Sequence, residues 1–383
     1  MIARRTFLAS LPAAALATRS TFAAPKKTVS KRIYIGTGGR GPTAGIYTAD
    51  WNAATGEIGP ITQASNVASP SFIATFQNGA DTFVYAVTEA GRGNSKITAL
   101  KAVDGGKTLQ VLNDSPSNGG GPTHIAVSPD GRSVYVANYG GGSVTSYHVR
   151  PDGSLSAPVS HFQFTGSGPY KGRQEGPHTH SVNPSPDGKW LLVNDLGIDR
   201  IMVYRVNPAT AELTPNEPAF YAGRPGSGPR HVAWNPNGKF VYVANELDST
   251  VDTLSWDAKT GTLKSIQYLS SLKEGFPPNT AFVGEILSSS DGRNVYAGNR
   301  VADDTIAVFD VDKKTGKLTQ VQLAEGGGKN ARHVAIDPTQ HWIVISHVDS
   351  NDLVVLERNL KTGRLSAPVH TYPQNKPMCV VFV

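Results

Sequence analysis

A short apolar strand that ends in a polar residue recurs seven times along this chain, about every 50 residues. The copies are Ile33-Tyr34-Ile35-Gly36-Thr37, Tyr85-Ala86-Val87-Thr88-Glu89, Tyr135-Val136-Ala137-Asn138-Tyr139 and Leu191-Leu192-Val193-Asn194-Asp195. They continue as Tyr242-Val243-Ala244-Asn245-Glu246, Tyr296-Ala297-Gly298-Asn299-Arg300 and Ile343-Val344-Ile345-Ser346-His347. Turns such as Ser128-Pro129-Asp130-Gly131, Pro186-Asp187-Gly188, Pro236-Asn237-Gly238 and Ser290-Asp291-Gly292 precede them. Pro fixes φ and the Asp-Gly or Asn-Gly pair supplies positive φ, so each reads as a tight reversal between antiparallel strands. A third strand follows (Ser143 to Val149, Arg200 to Val206, Thr305 to Val311), and a turn such as Lys314-Thr315-Gly316-Lys317-Leu318 opens a fourth. No long helical period intervenes after the first twenty-odd residues, and 40 Gly with 26 Pro suit a chain of many turns. The fold class is all-β. One such sheet cannot bury both its faces alone, so seven copies predict a seven-bladed β-propeller.

The chain ends support a closed ring. The first repeat begins at its second strand, while the chain stops in an orphan first strand, Met378 to Val383. Pairing that C-terminal strand with Ile33 to Thr37 in the N-terminal blade would close the ring and remove two unpaired edges. One domain is therefore expected over residues 31–383, with a basic, polar linker at 24–30.

Residues 1–23 have a different character. Arg4-Arg5-Thr6-Phe7-Leu8 precedes an Ala-rich apolar run too short to span a bilayer. This pattern fits a twin-arginine export signal, cleaved after Ala23 or at Ala15-Leu16-Ala17, with an ordinary Sec signal or a mitochondrial presequence as alternatives. It implies the twin-arginine export machinery as a partner and a periplasmic or secreted product. The formal net charge is +6, and Arg4, Arg5 and Arg19 leave with the signal. The remaining excess has no Lys/Arg blocks, so nucleic acid is not an expected partner, nor is a membrane once the signal is gone. The single cysteine, Cys379, excludes an intrachain disulfide and reads as a buried small hydrophobe.

In a propeller, the starts of the first strands and the ends of the second strands share one face. Alignment on the turns makes Thr123, His180, Arg230, Gly284 and Arg332 equivalent, followed by His124, Ser181, His231, Glu285 and His333. The second-strand ends supply Glu89, Tyr139, Asp195, Glu246, Arg300 and His347. Convergence of His, Arg and Glu on one mouth predicts a polar pocket, against the simpler reading of ion pairs between blades. Tyr139-Gly140-Gly141-Gly142 lies between strands and is no phosphate-cradling loop. His178-Thr179-His180 could offer two metal ligands, but no third is evident, so no metal and no cofactor are expected. A Gly-x-Ser-x-Gly nucleophile elbow is absent from the sequence.

Several of these stretches resemble the seven-bladed-propeller lactonase family, which holds the propeller-type 6-phosphogluconolactonases and the carboxymuconate lactonizing enzymes. They are Asn138-Tyr139-Gly140-Gly141-Gly142-Ser143-Val144, Arg173-Gln174-Glu175-Gly176-Pro177-His178-Thr179-His180-Ser181 and Gly228-Pro229-Arg230-His231. Further matches are Asn245-Glu246-Leu247-Asp248-Ser249-Thr250-Val251, Glu285-Ile286, Asn299-Arg300 and Cys379-Val380-Val381-Phe382. The resemblance implies a catalytic set of His180 (or His178), Arg230, Glu246 and Arg300; His178, His231, Glu285, Arg332 and His124, from the strand alignment, are candidate substrate contacts. Asn183-Pro184-Ser185-Pro186 stands where the family has an unbroken apolar strand, which leaves open whether His178 or His180 faces the channel. The implied reaction is hydrolysis of a sugar-acid lactone. Glu246 would act as general base or orient a His that does, Arg230 and Arg300 would hold the oxyanion, and His180 would protonate the leaving alkoxide. The alternatives are a muconate-type lactonizing cycloisomerase and a non-catalytic exported propeller that binds a ligand.

Overall fold

The computed structural model describes residues 31–383 except 40, 42, 90–94 and 278, so the expected export signal and linker lie outside the described residues. Seven antiparallel sheets form the ring of a β-propeller. Six are four-stranded meanders, such as Pro229–Trp234, Phe240–Asn245, Thr250–Asp257 and Thr262–Ser270. The seventh joins Arg32–Thr37, Ile46–Asn52, Glu57–Ile58 and Thr62–Ser65 to the terminal Pro377–Phe382. Ile33 pairs with Phe382 and Gly36 with Cys379, so the last strand closes the ring on the first.

Burial explains which strands the sequence spelled most clearly. Second strands lie between neighbouring blades and are buried along their whole length, as in Trp190–Asp195 and Trp342–His347. They therefore read as continuous apolar runs. Outer strands have one face in solvent, and after the buried Leu155 the strand Leu155–Gln163 alternates half-buried and exposed positions accordingly. The reversals are held by their own side chains. Ser128 Oγ donates to Asp130 Oδ1 at 2.6 Å and Ser185 Oγ to Asp187 Oδ1 at 2.6 Å, while Gly131 and Gly188 take φ near +70°.

The feature that builds the site is a repeated β-bulge. Six of the seven innermost strands slip register near their start. The residues left over are Thr123, His180, Arg230, Gly284 with Glu285, Arg332 and Met378. A bulge re-aims the side chain it carries. The Asn183-Pro184 segment does not break its strand: Thr179–Pro184 pairs along Trp190–Asp195, and the bulge falls on His180.

Pairing also corrects the alignment of the second-strand ends. Asp195 faces Arg200 and Thr179, and His347 faces Asp352 and Ala331, which is the place Asn245 holds between Thr250 and Pro229. Both residues therefore stop one position short of the mouth, and one residue along a strand turns a side chain to the other face. Asp195 instead accepts from the His178 and Gly197 amides, and His347 Nδ1 lies 2.9 Å from Asp352 Oδ1.

Candidate active site

A pocket of about 270 Å³ opens at the mouth of the channel. Its charged wall is Glu89, Arg173, Glu246, Arg300 and Arg332, and Thr123, Tyr139, His180, Phe282 and Val301 complete it. Glu246 is the centre. Its Oε1 lies 2.5 Å from Arg173 Nη2, and its Oε2 lies 3.0 Å from Arg230 Nε and 3.1 Å from Arg300 Nη2. Burial alone would raise the carboxyl's pKa, but Arg300, Arg230 and Arg173 outweigh it and hold the group at about 2. Glu246 is thus a permanent carboxylate enclosed by cations. A carboxylate so stabilised has little proton affinity, which weighs toward the other role expected of Glu246, orienting a His, over taking a proton itself.

His180 Nε2 sits 3.9 Å from Glu246 Oε2, and its Nδ1 is buried with no hydrogen-bond partner among the described residues. Burial, followed by the charges of Arg230, His231, Arg332 and Arg300, pushes the imidazole well below 6.5. The ring is therefore neutral at physiological pH. His178 lies apart from the pocket wall: it stacks on Tyr139 with ring centroids 4.6 Å apart, and its Nδ1 is 3.1 Å from the Tyr139 carbonyl.

Arg230 also departs from expectation. It is 2% exposed and sits behind Glu246, outside the pocket wall, with Nη1 donating to the Gly284 carbonyl. Its ion pair with Glu246 is what links it to the pocket wall. Arg332, by contrast, lines the pocket, and its guanidinium makes no ion pair among the described residues.

His124, His231 and Glu285 form a layer deeper in the channel. His231 Nδ1 lies 2.8 Å from Glu285 Oε1, and His333 Nε2 lies 3.6 Å from Oε2. Phe72 packs against His124, His231 and His333 with centroids 4.2, 5.9 and 5.5 Å apart. His124, His231 and His333 directly follow bulge residues and Glu285 is the second residue of its two-residue bulge, and none of the four belongs to the pocket wall.

Arg173 was within reach of sequence reasoning, since it opens the motif that ends in His180, but nothing there signalled a role for it. It comes from a loop between blades, not from a strand. Asp199 ties that loop to the Arg230 strand, accepting from Gln174 Nε2 at 2.8 Å and from the Gly226 and Gly228 amides at 2.7 and 2.8 Å. Phe282 stands opposite Arg300 in the strand pair, with the Arg173 and Arg300 guanidiniums 5.5 and 5.9 Å from its ring.

Gly284 makes room for this arrangement. A Cβ there would lie 2.6 Å from the Ala331 carbonyl oxygen and 3.2 Å from Arg300 Cδ. Gly284→Ala is expected to keep the propeller but shift Arg300, lowering kcat for a lactone at least tenfold, on the order of a misplaced catalytic group. Steady-state kinetics beside a circular-dichroism melt check this.

A family profile described as "Lactonase, 7-bladed beta-propeller" matches residues 32–382. The chain belongs to this seven-bladed lactonase family. Among its relatives, the 6-phosphogluconolactonase of Bacillus subtilis is 33% identical over 350 residues, covering 91% of this chain and 97% of the relative. A solved protein from Bacteroides fragilis, 33% identical, superposes with a TM-score of 0.86 over 94% of this chain and all of its own. The periplasmic gluconolactonase of Pseudomonas aeruginosa is 29% identical, with a TM-score of 0.83 over 92% of this chain and 98% of its own.

Proposed function

We propose that this lactonase-family enzyme hydrolyses a sugar-acid lactone, phosphorylated or free, and that His180 carries the proton. The observation that supports this most is the pairing of a fixed carboxylate, Glu246, with a neutral imidazole 3.9 Å away, inside a pocket rich in guanidinium. His180 takes a proton from water as the water oxygen bonds to the lactone carbonyl carbon. Negative charge then develops on the carbonyl oxygen, where Arg300 and Arg332 stabilise it. The ring C–O bond breaks, and the imidazolium returns its proton to the departing alkoxide, leaving a hydroxy acid. Glu246 holds Arg173 and Arg300 at the wall and favours the imidazolium while it lasts.

We further infer an exported enzyme. The Arg4-Arg5 pair and the apolar run behind it support this, as does the periplasmic setting of one structural relative. An exported enzyme meets free sugar lactones more readily than cytosolic sugar phosphates.

The test is a pH-stat assay, corrected for spontaneous hydrolysis, on δ-gluconolactone with and without a 6-phosphate, with cis,cis-muconates as the third arm. Acid release from either lactone above the blank is the expected result. Cyclisation of a muconate without lactone hydrolysis would favour the cycloisomerase, and no reaction in any arm would leave a ligand-binding propeller.

A further inference from the structure

Val301 directly follows Arg300 and forms part of the pocket wall. Its φ is +78°, and it is the one β-branched residue among the non-glycine residues with positive φ that the structure describes. A branched side chain is disfavoured there, because Cβ crowds the neighbouring carbonyl. Burial does not offset that cost, since Val301 is 51% exposed. The corresponding turns of other blades place positive φ later, on Gly142, Asp199 and Asn351, just before the third strand. Those residue types tolerate the left-handed region. In this blade the second strand runs on through Arg300, and the reversal falls on valine.

An exposed, strained residue at a pocket mouth points to a contact made outside the folded chain. The rest of the wall narrows what that contact is. Among the described residues, Phe282 and Val301 are its only wholly apolar side chains, and every other described wall residue carries a charge, a hydroxyl or an imidazole. Phe282 is fixed by its strand pairing with Arg300, the residue before Val301. The two apolar groups therefore flank the backbone that delivers a catalytic guanidinium. A substrate held by Arg300 at its carbonyl oxygen would share the pocket with both.

We propose that Val301 is a specificity-determining residue, packing with Phe282 against a C–H face of the bound lactone ring. This deepens the lactone-hydrolase reading and rests on it. The ring's hydroxyls then face the polar side of the pocket, and a lactone with a polar substituent on the Val301 side is a poor substrate.

Two variants separate this from a purely conformational role. Val301→Asn and Val301→Gly both suit positive φ, the first replacing the isopropyl group with an amide and the second removing it. Melting temperature, kcat and KM are measured on whichever lactone the parent hydrolyses fastest. The expected result is an unchanged or higher melting temperature, kcat within about twofold, and KM raised roughly tenfold in both variants. An unchanged KM in both overturns the proposal, because the turn alone then matters. So does a fall in kcat at constant KM, which would mean that Val301 acts by holding Arg300. A lowered melting temperature in both also overturns it, since valine would then be kept for packing. A parent with no lactone hydrolysis sinks the underlying reading first, before any variant is made.

Discussion

Glu246→Gln is expected to abolish measurable lactone turnover and to lower stability at neutral pH by roughly 3–5 kcal/mol, the scale of breaking a buried ion pair. Glutamine keeps the shape and one acceptor oxygen, but its NH2 would face guanidinium N–H groups, so the loss combines the missing charge with a donor–donor mismatch. Without it, Arg173, Arg230 and Arg300 sit close together with their shared counter-ion gone. The pH dependence supplies a second reading. In the folded parent the carboxyl is held at about 2 against its ordinary 4.5. Its contribution is therefore fully present above 4.5 and is lost as pH falls toward 2, whereas glutamine does not titrate. The stability gap between parent and variant should narrow over that range, as followed by denaturant melts at several pH values. Equal stability at pH 7 would remove Glu246 from its place as the counter-ion of the site.

His180→Asn is expected to reduce kcat by ~10²–10⁴ while the protein stays folded. Among the described residues the imidazole makes no short hydrogen bond, with Nδ1 unpartnered and Nε2 3.9 Å from Glu246, so its removal breaks none and loses ring packing against Tyr139 and His231. The parent's pH–rate profile tests the same assignment. The working form is the neutral ring, and burial with the surrounding cations pushes its pKa well below 6.5. Activity should hold through neutrality and fall only in acid, as pH drops through that lowered value. An acid limb at or above 6.5 would contradict His180 as the base. A limb near 2 would return the role to Glu246.

These two residues also mark how far the sequence carried. The repeat, the turns and the closing strand were legible because second strands are buried on both faces and so write continuous apolar runs. His180 and Arg332 could be nominated because the first strands start at a fixed distance from the turns, and Glu246 and Arg300 because they end second strands and match the family's motifs. The depth at which each side chain sits was not legible. Arg230 and Arg300 look alike as letters, but one lies behind Glu246 and the other in front of it. Asp195 and His347 were misplaced by one residue, since apolar runs do not reveal where pairing stops. The proton affinity of Glu246 was not legible for a related reason: it depends on three cations, one of which comes from a loop with no strand pattern.

Ring closure has a practical corollary. Lys31 donates its amide to the Val383 carbonyl, so the described chain begins and finishes side by side. Arg32 is at the start of a second strand, and such strands run toward the mouth, so this meeting point is on the far side of the disc, one strand length of roughly 20 Å below the pocket. A carrier or solid support joined through the C-terminus would stand clear of incoming substrate.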